Sequence, residues 1–197
     1  NYIYRIGTYP SNEGGAAVTM INGASDALIR NNLFVDIYGQ GLTVAGPGVR
    51  VINNIFHDVA WSIILGIQGA SSIQFLNNIV IEEKTVPFQI HWGVLASFVC
   101  DYNYYCMKNQ YFYESQGKKM DWKLWRKKGF DLHSMHGKMP FTDTVSTSDG
   151  MISDYRLDPA SFAVDAGIPE LKDAAIPPGH GDIKSDMGIF GGPGNVW

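Results

Sequence analysis

Short apolar runs separated by polar pairs set the rhythm of this chain. Ala27-Leu28-Ile29 precedes Asn31-Asn32 and Leu33-Phe34, and a polar stretch from Asp36 to Gln40 then leads into Leu42-Thr43-Val44. The same order returns as Val49-Arg50-Val51, Asn53-Asn54, Ile55-Phe56 and Ile63-Ile64-Leu65. It returns again as Ile73-Gln74-Phe75, Asn77-Asn78, Ile79-Val80 and Phe88-Gln89-Ile90. Runs this short, rich in β-branched and aromatic residues, predict strands rather than helices. The second Asn of each pair recurs after 22 and then 24 residues, and Tyr102-Asn103 continues the series after 25 more. Asn1-Tyr2-Ile3-Tyr4 is a further copy. Three short strands per period describe one turn of a solenoid, each turn advancing by one strand spacing of about 4.8 Å.

The polar pair has a physical reason to sit at the bend between strands. An amide facing the interior can bond backbone groups freed by the corner, and amides stacked at strand spacing can bond each other. Asn also tolerates the left-handed backbone that a sharp corner requires.

Composition narrows the class. In 197 residues, 45% are hydrophobic and only 17% charged, with 22 Gly, which suits a loop-rich all-β chain. The net charge of −4 argues against a nucleic-acid binder. No apolar run reaches the length of a membrane span. Cys100 and Cys106 flank one predicted turn; an oxidising compartment would allow a disulfide, and two buried thiols are the simpler outcome. The chain carries no G-x-S-x-G, phosphate-loop or H-E-x-x-H pattern.

The repeated Asn-Asn-Ile-Phe-His-Asp type of rung resembles the right-handed parallel β-helix repeats of the pectin-lyase-like superfamily. Tyr155-Arg156-Leu157-Asp158-Pro159 through Asp165-Ala166-Gly167 is similar to the ending of secreted bacterial proteins of that group. So are Pro177-Pro178-Gly179-His180-Gly181 and Asp186-Met187-Gly188-Ile189-Phe190-Gly191-Gly192-Pro193. The resemblance implies a right-handed parallel β-helix with a short helical insertion and an irregular C-terminal cap. It also implies a secreted, extracellular or periplasmic location and a polysaccharide partner. Chemistry is left open, because the same fold serves lyases, glycoside hydrolases and non-catalytic adhesins.

Three parts of one continuous domain follow: rungs over 1–106, an insertion over 107–141, and last strands with a capping tail over 142–197. Within the insertion, Asp121 is the expected N-cap and Gly129 the expected C′ residue of a short helix bearing Trp122 and Trp125. The two Trp residues are expected to anchor that helix to the coil. Six of the chain's 15 Lys and Arg residues fall between positions 118 and 128. They read as a solvated helix face or as a patch for an anionic polysaccharide. His133, in Gly129-Phe130-Asp131-Leu132-His133-Ser134, resembles a recurrent structural position. Superfamily members begin with more rungs than are visible before Asn1. The expectation is therefore a C-terminal segment whose first rungs are missing or supplied by another chain.

By resemblance, substrate lies along the sheet containing Val18-Thr19-Met20, Leu42-Thr43-Val44, Ile63-Ile64-Leu65 and Phe88-Gln89-Ile90. Thr19, Thr43 and Ile64 are expected to face outward from it. Four residues after each Asn stand Arg5, Asp36, Asp58 and Glu82, so Asp36, Asp58 and Glu82 would stack on successive rungs. Three such carboxylates suit a calcium ion, with Arg5 or Lys84 as counter-charge, or serve as turn residues bonding nearby backbone N–H groups. Asp58, Glu82, Lys84 and His57 are the candidate catalytic groups, because hydrolysis uses paired carboxylates and elimination uses a base. Trp61, Gln89, His91, Trp92, Thr43 and Arg5 are the candidate substrate contacts, the Trp rings offering stacking faces to pyranoses. Two function classes stand side by side: a lyase-like or hydrolase-like carbohydrate-active β-helix, and a non-catalytic surface, adhesion or glycan-binding module.

Overall fold

A computed structural model of the chain describes residues 1–4, 6, 15–20, 24–67, 69–82, 86–142, 155–169 and 185–191. The chain winds as a parallel β-solenoid of about four turns, as the periodicity predicts. The first turn holds β1 (Tyr2–Tyr4), β2 (Ala16–Met20) and β3 (Leu28–Arg30). The second holds β4 (Leu33–Ile37), β5 (Gln40–Val44) and β6 (Arg50–Ile52), and the third β7 (Ile55–Val59), β8 (Ser62–Gly66) and β9 (Gln74–Leu76). The fourth holds β10 (Ile79–Glu82), β11 (Phe88–Ile90), the one-turn helix α1 (Trp92–Leu95) and β12 (Val99–Asp101). Then follow β13 (Tyr104–Met107), β14 (Tyr111–Ser115), β15 (Lys118–Asp121), helix α2 (Trp122–Lys127) and β16 (Met135–His136).

Corresponding strands stack into three sheets, ordered β1-β4-β7-β10-β13-β16, β15-β14-β11-β8-β5-β2 and β12-β9-β6-β3. Within these sheets the described pairings are parallel except the β14–β15 hairpin, and an isolated antiparallel bridge joins Phe141 to Leu157. The hairpin turn, Gln116-Gly117, has φ of 50° and 75°, the positive pair that matches the twist of the flanking strands.

Inside the coil, stacked turns bring like residues together. The Phe34 and Phe56 rings stack 4.6 Å apart and nearly parallel, and the aromatic column passes through Phe75 and Phe88 to Trp125, 5.4 Å from Phe88. Each such side chain contributes about 1.5–3 kcal/mol on burial. Trp125 comes from α2, whose N-cap Asp121 accepts from Leu124 N at 2.7 Å and which Gly129 (φ 96°) ends, as the sequence indicates. Trp122 packs beside it, 4.6 Å from Phe112. The insertion thereby closes the C-terminal mouth of the coil.

Both residues of each Asn pair are used, in different ways. The second faces inward. Asn1 Nδ2 donates to Asn32 Oδ1, and Asn32 donates from N and Nδ2 to Asn54 Oδ1, both at 3.0 Å. Asn54 donates likewise to Asn78 Oδ1, and Asn78 to Asn103 Oδ1. The column therefore has a direction, and its last donor needs an acceptor. Asp131 and Ser134 provide it: Asn103 Nδ2 donates to Asp131 Oδ1 at 3.1 Å, and Asn103 N donates to Ser134 Oγ at 2.8 Å.

The first Asn of each pair is left-handed, with φ of 52° at Asn31, 55° at Asn53 and 56° at Asn77. These side chains hold the C-terminal tail. Asn31 Nδ2 donates to Ile189 O and Gly191 O, Asn53 Nδ2 to Asp186 O and Gly188 O, and Asn77 Nδ2 to Ser185 Oγ. Gly188, at φ 84°, lies so close to Ile79 that a side chain there would collide with it. The described parts of the tail, 155–169 and 185–191, are irregular, but they do not cover the end of the coil, where the sequence predicts them. They lie along the flank of the first sheet, burying Met187, Ile189, Tyr155 and Leu157 against Leu33, Val35, Ile55 and Ile79. The stretch Pro177 to Gly181 lies outside the described residues.

Candidate functional site

The second sheet carries the row expected to meet substrate. Register places Thr19, Thr43, Leu65 and Gln89 side by side on successive turns, with Thr19 exposed and the others half-buried. Leu65, not Ile64, occupies the third position, and Ile64 points into the core. The expected Ile64 is thus one residue out of phase, and in a period-2 strand a single step reverses the face. Among the described strands of this sheet, the outer row from Thr19 to Gln89 contains no carboxylate.

At its C-terminal end the row opens into a groove of roughly 400 Å³ lined by Leu65, Gln89, His91, Glu114, Ser115 and Gln116. Gln89 and His91 are among the predicted contacts. Glu114, Ser115 and Gln116 were not, because they arrive on the β14–β15 hairpin, which follows no repeat. A glycine after Gln116 and alternation in Tyr111-Phe112-Tyr113 are the local signals that could have revealed it. His91 also caps α1, its Nδ1 accepting from Gly93 N at 3.3 Å. Glu114 pairs with Lys119 at 3.2 Å. Trp61, 39% exposed, precedes β8, and Trp92, 62% exposed, begins α1.

A second groove, roughly 510 Å³, lies between α1, β12 and the segment after α2. Trp92, Leu95, Val99, Asp101, Lys128 and Phe130 are among its walls.

The predicted catalytic set divides. His57 is 5% exposed, and its Nδ1 lies 2.9 Å from Tyr155 Oη, edge-on to that ring, so it fastens the tail to the first sheet. Asp36 and Asp58 do stack in register, and both are left-handed, at φ 55° and 53°. That backbone fits the turn role: Asp is one of the few residues that adopt it readily. Glu82 occupies the next register position on β10, one residue beyond the Ile81–His57 pair. Its side chain lies outside the described residues, as do Arg5 and Lys84. Among the described residues, no three His, Cys, Asp or Glu side chains gather as metal ligands.

The most heavily engaged carboxylate is Asp131, which the sequence marks only as part of the segment Gly129-Phe130-Asp131-Leu132-His133-Ser134. Asp131 is fully buried and accepts from Trp125 Nε1 at 2.6 Å, Tyr105 Oη at 3.0 Å, Cys100 Sγ at 3.1 Å, Asn103 Nδ2 and Ser134 Oγ. Burial pushes its carboxyl above the ordinary range, against the pull of bonds from Ser134, Trp125, Asn103 and Cys100. Burial likewise raises the Cys100 thiol well up, with Asp131 adding to it, so this sulfur is a structural donor rather than a nucleophile. Cys100 and Cys106 are both free thiols, and no disulfide closes the turn between them.

No family, no curated protein and no solved structure matches this chain, so its function must be argued from the geometry above.

Proposed function

We propose that this β-solenoid is a secreted carbohydrate-active protein of pectin-lyase-like type that holds an extracellular polysaccharide along its second sheet. One observation carries the reading: an outward row, one residue per turn and polar at three of its four positions, leads from Thr19 through Thr43, Leu65 and Gln89 into the groove at His91. A regular polymer is matched by a surface that repeats at regular spacing. Gln89, Ser115 and Gln116 offer hydrogen-bond donors and acceptors to hydroxyls, and Trp61 offers an exposed ring to a pyranose face. The Lys and Arg side chains of α2 and β15, exposed on an acidic chain, favour an anionic polymer.

The row itself suits holding better than reacting, because it has no acid pair and the groove's Glu114 is already matched to Lys119. Among the described residues β1, β2 and β3 are the end strands of their sheets, and further rungs from the same or another chain would continue the surface there.

Retardation in gels containing polygalacturonate, alginate or a neutral glucan tests the reading. Wild type should be retarded by an acidic polymer. Thr43→Glu, which sets a like charge in the middle of the row, should weaken retardation at least about tenfold while changing stability by no more than about 0.5 kcal/mol. Equal retardation of both proteins would remove the second sheet as the binding surface.

A further inference from the structure

The last layer of the coil carries charge of the opposite sign to the rest. Positions 118–139 hold seven Lys and Arg against two Asp, a local net charge of +5, which leaves −9 on the remainder of a chain whose total is −4. Of the two Asp, Asp131 is buried among its five donors and Asp121 caps α2. Lys119 pairs with Glu114, whereas exposed Lys118, Lys123, Lys127 and Lys128 have no carboxylate in ion-pair reach among the described residues.

These cations share one end of the molecule. β15 ends the second sheet and β16 the first, while Asp131 N donates to Cys100 O of β12 at 2.7 Å. Helix α2 lies over the mouth between them. Its Trp125 points in, so exposed Lys123, Leu124 and Lys127 lie on its far side. Leu132, Met135 and Met139 are exposed in the same layer. A single exposed leucine means little, but Leu132 is held in place from both sides. Arg126 Nη2 donates to Leu132 O at 2.7 Å. The next residue, His133, is gripped by Asp101, whose Oδ1 accepts from His133 N and whose Oδ2 lies by His133 Nδ1, both at 2.7 Å. The Tyr102 ring stacks on that imidazole, 4.8 Å between centroids and 12° from parallel. The fourth corner departs from the repeat to make this grip. Register aligns Asp101 with Leu76, Ile52 and Arg30, and Tyr102, at φ 56°, takes the left-handed place of Asn77, Asn53 and Asn31.

Shielding of a sheet edge accounts for Lys118 and Lys119 on β15, and an acidic polymer is met by cations alone. Neither gives a use to the Leu and Met side chains among them. An anionic bilayer does: ammonium groups pair with its phosphates at head-group level, their stems lie along apolar surface, and leucines enter the acyl boundary. The second groove extends the face, since Lys128 lines it together with exposed Trp92, a residue type favoured at that interface. We propose that the C-terminal end of the coil docks on a bilayer bearing anionic phosphate head groups, with Leu124, Leu132 and Met135 entering its surface. Docked end-on, the coil stands out from the membrane and holds the row on the second sheet clear of it. The docking does not depend on what that row binds.

Co-sedimentation with vesicles tests the face, using phosphatidylcholine alone and phosphatidylcholine mixed with phosphatidylglycerol. Wild type should partition onto the mixed vesicles at least about tenfold more strongly, and raised salt should release it. The double variant Lys123→Glu, Lys127→Glu should lower that partition at least about tenfold with an unchanged melting temperature. Leu124→Ser with Leu132→Ser keeps every charge; it should lower partition at least about threefold and leave retardation by acidic polymer as in wild type. Thr43→Glu should bind vesicles as wild type does, which separates this face from the second sheet. No preference of wild type for the mixed vesicles would overturn the docking. So would wild-type partition of the lysine variant, and its loss of polymer retardation alone would assign the face to the polymer. Full partition of the leucine variant would show charge attraction without apolar entry and overturn the bilayer as the occupant.

Discussion

Two columns of asparagine run along one corner of the coil, a single residue apart in sequence, and their side chains go opposite ways. Asn32, Asn54, Asn78 and Asn103 turn inward and bond one another. Asn31, Asn53 and Asn77 turn outward and bond a tail that arrives more than a hundred residues later. Chemistry cannot be the difference, since the residue is the same. The left-handed backbone of the first Asn bends the chain from the third sheet into the first, and the second Asn, after the bend, is the one delivered to the interior. The inner column binds turn to turn, whereas the outer column binds the coil to its cover.

That contrast predicts effects of different size and reach. Asn78→Ala removes three donated bonds, to Val51 O, Leu76 O and Asn103 Oδ1, and leaves Asn54 N and Nδ2 without their acceptor. It should cost about 3–5 kcal/mol of global stability in denaturant titrations. Asn53→Gly keeps the left-handed corner but frees Asp186 O and Gly188 O. It should cost about 1–2 kcal/mol, seen as faster hydrogen exchange and proteolysis confined to 185–191. An equal loss across the whole coil would show that the two columns are not separable. The smallest effect concerns the carboxylate that ends the inner column. Burial raises the Asp131 carboxyl, so the folded chain holds that proton more tightly than the unfolded one. Its contribution is greatest below the ordinary carboxylate range and is lost as pH rises through the elevated value. Stability of wild type minus that of Asp131→Asn, followed by denaturant titration from acid to neutral pH, should fall over that window and level off above it.

What the sequence disclosed and what it withheld follow from the range of the interactions. The ladder, the strands and the caps of α2 are local or periodic, and each left a mark within one or two turns of chain. Asp36 and Asp58, read as turn residues or as metal ligands, lie within β4 and β7 with a left-handed backbone that Asp adopts readily. His57 entered the catalytic candidates with its distant partner out of sight. Tyr155 stands 98 residues away, and no pattern near His57 announces it. Asp131 was legible only as part of a resembling segment, and its role was not, for the same reason: its donors come from β12, β13 and α2, joined only by folding. Leu65 exchanged with Ile64 because both are apolar, and hydrophobicity alone cannot set the phase of a strand whose two faces are both partly covered.

The one-way order of the inner amides has a consequence for engineering the length of the tube. Any copied turn, such as residues 54–77, presents an acceptor to the turn before it and donors to the turn after it. A duplicate inserted within the stack would therefore continue the inner amide column on both sides, while the tail, which bonds Asn31, Asn53 and Asn77 on successive turns, would have one more turn to span. The segment ending in Asp131 and Ser134 accepts and passes nothing on, so it tolerates no copy upstream of itself and belongs only at the terminus.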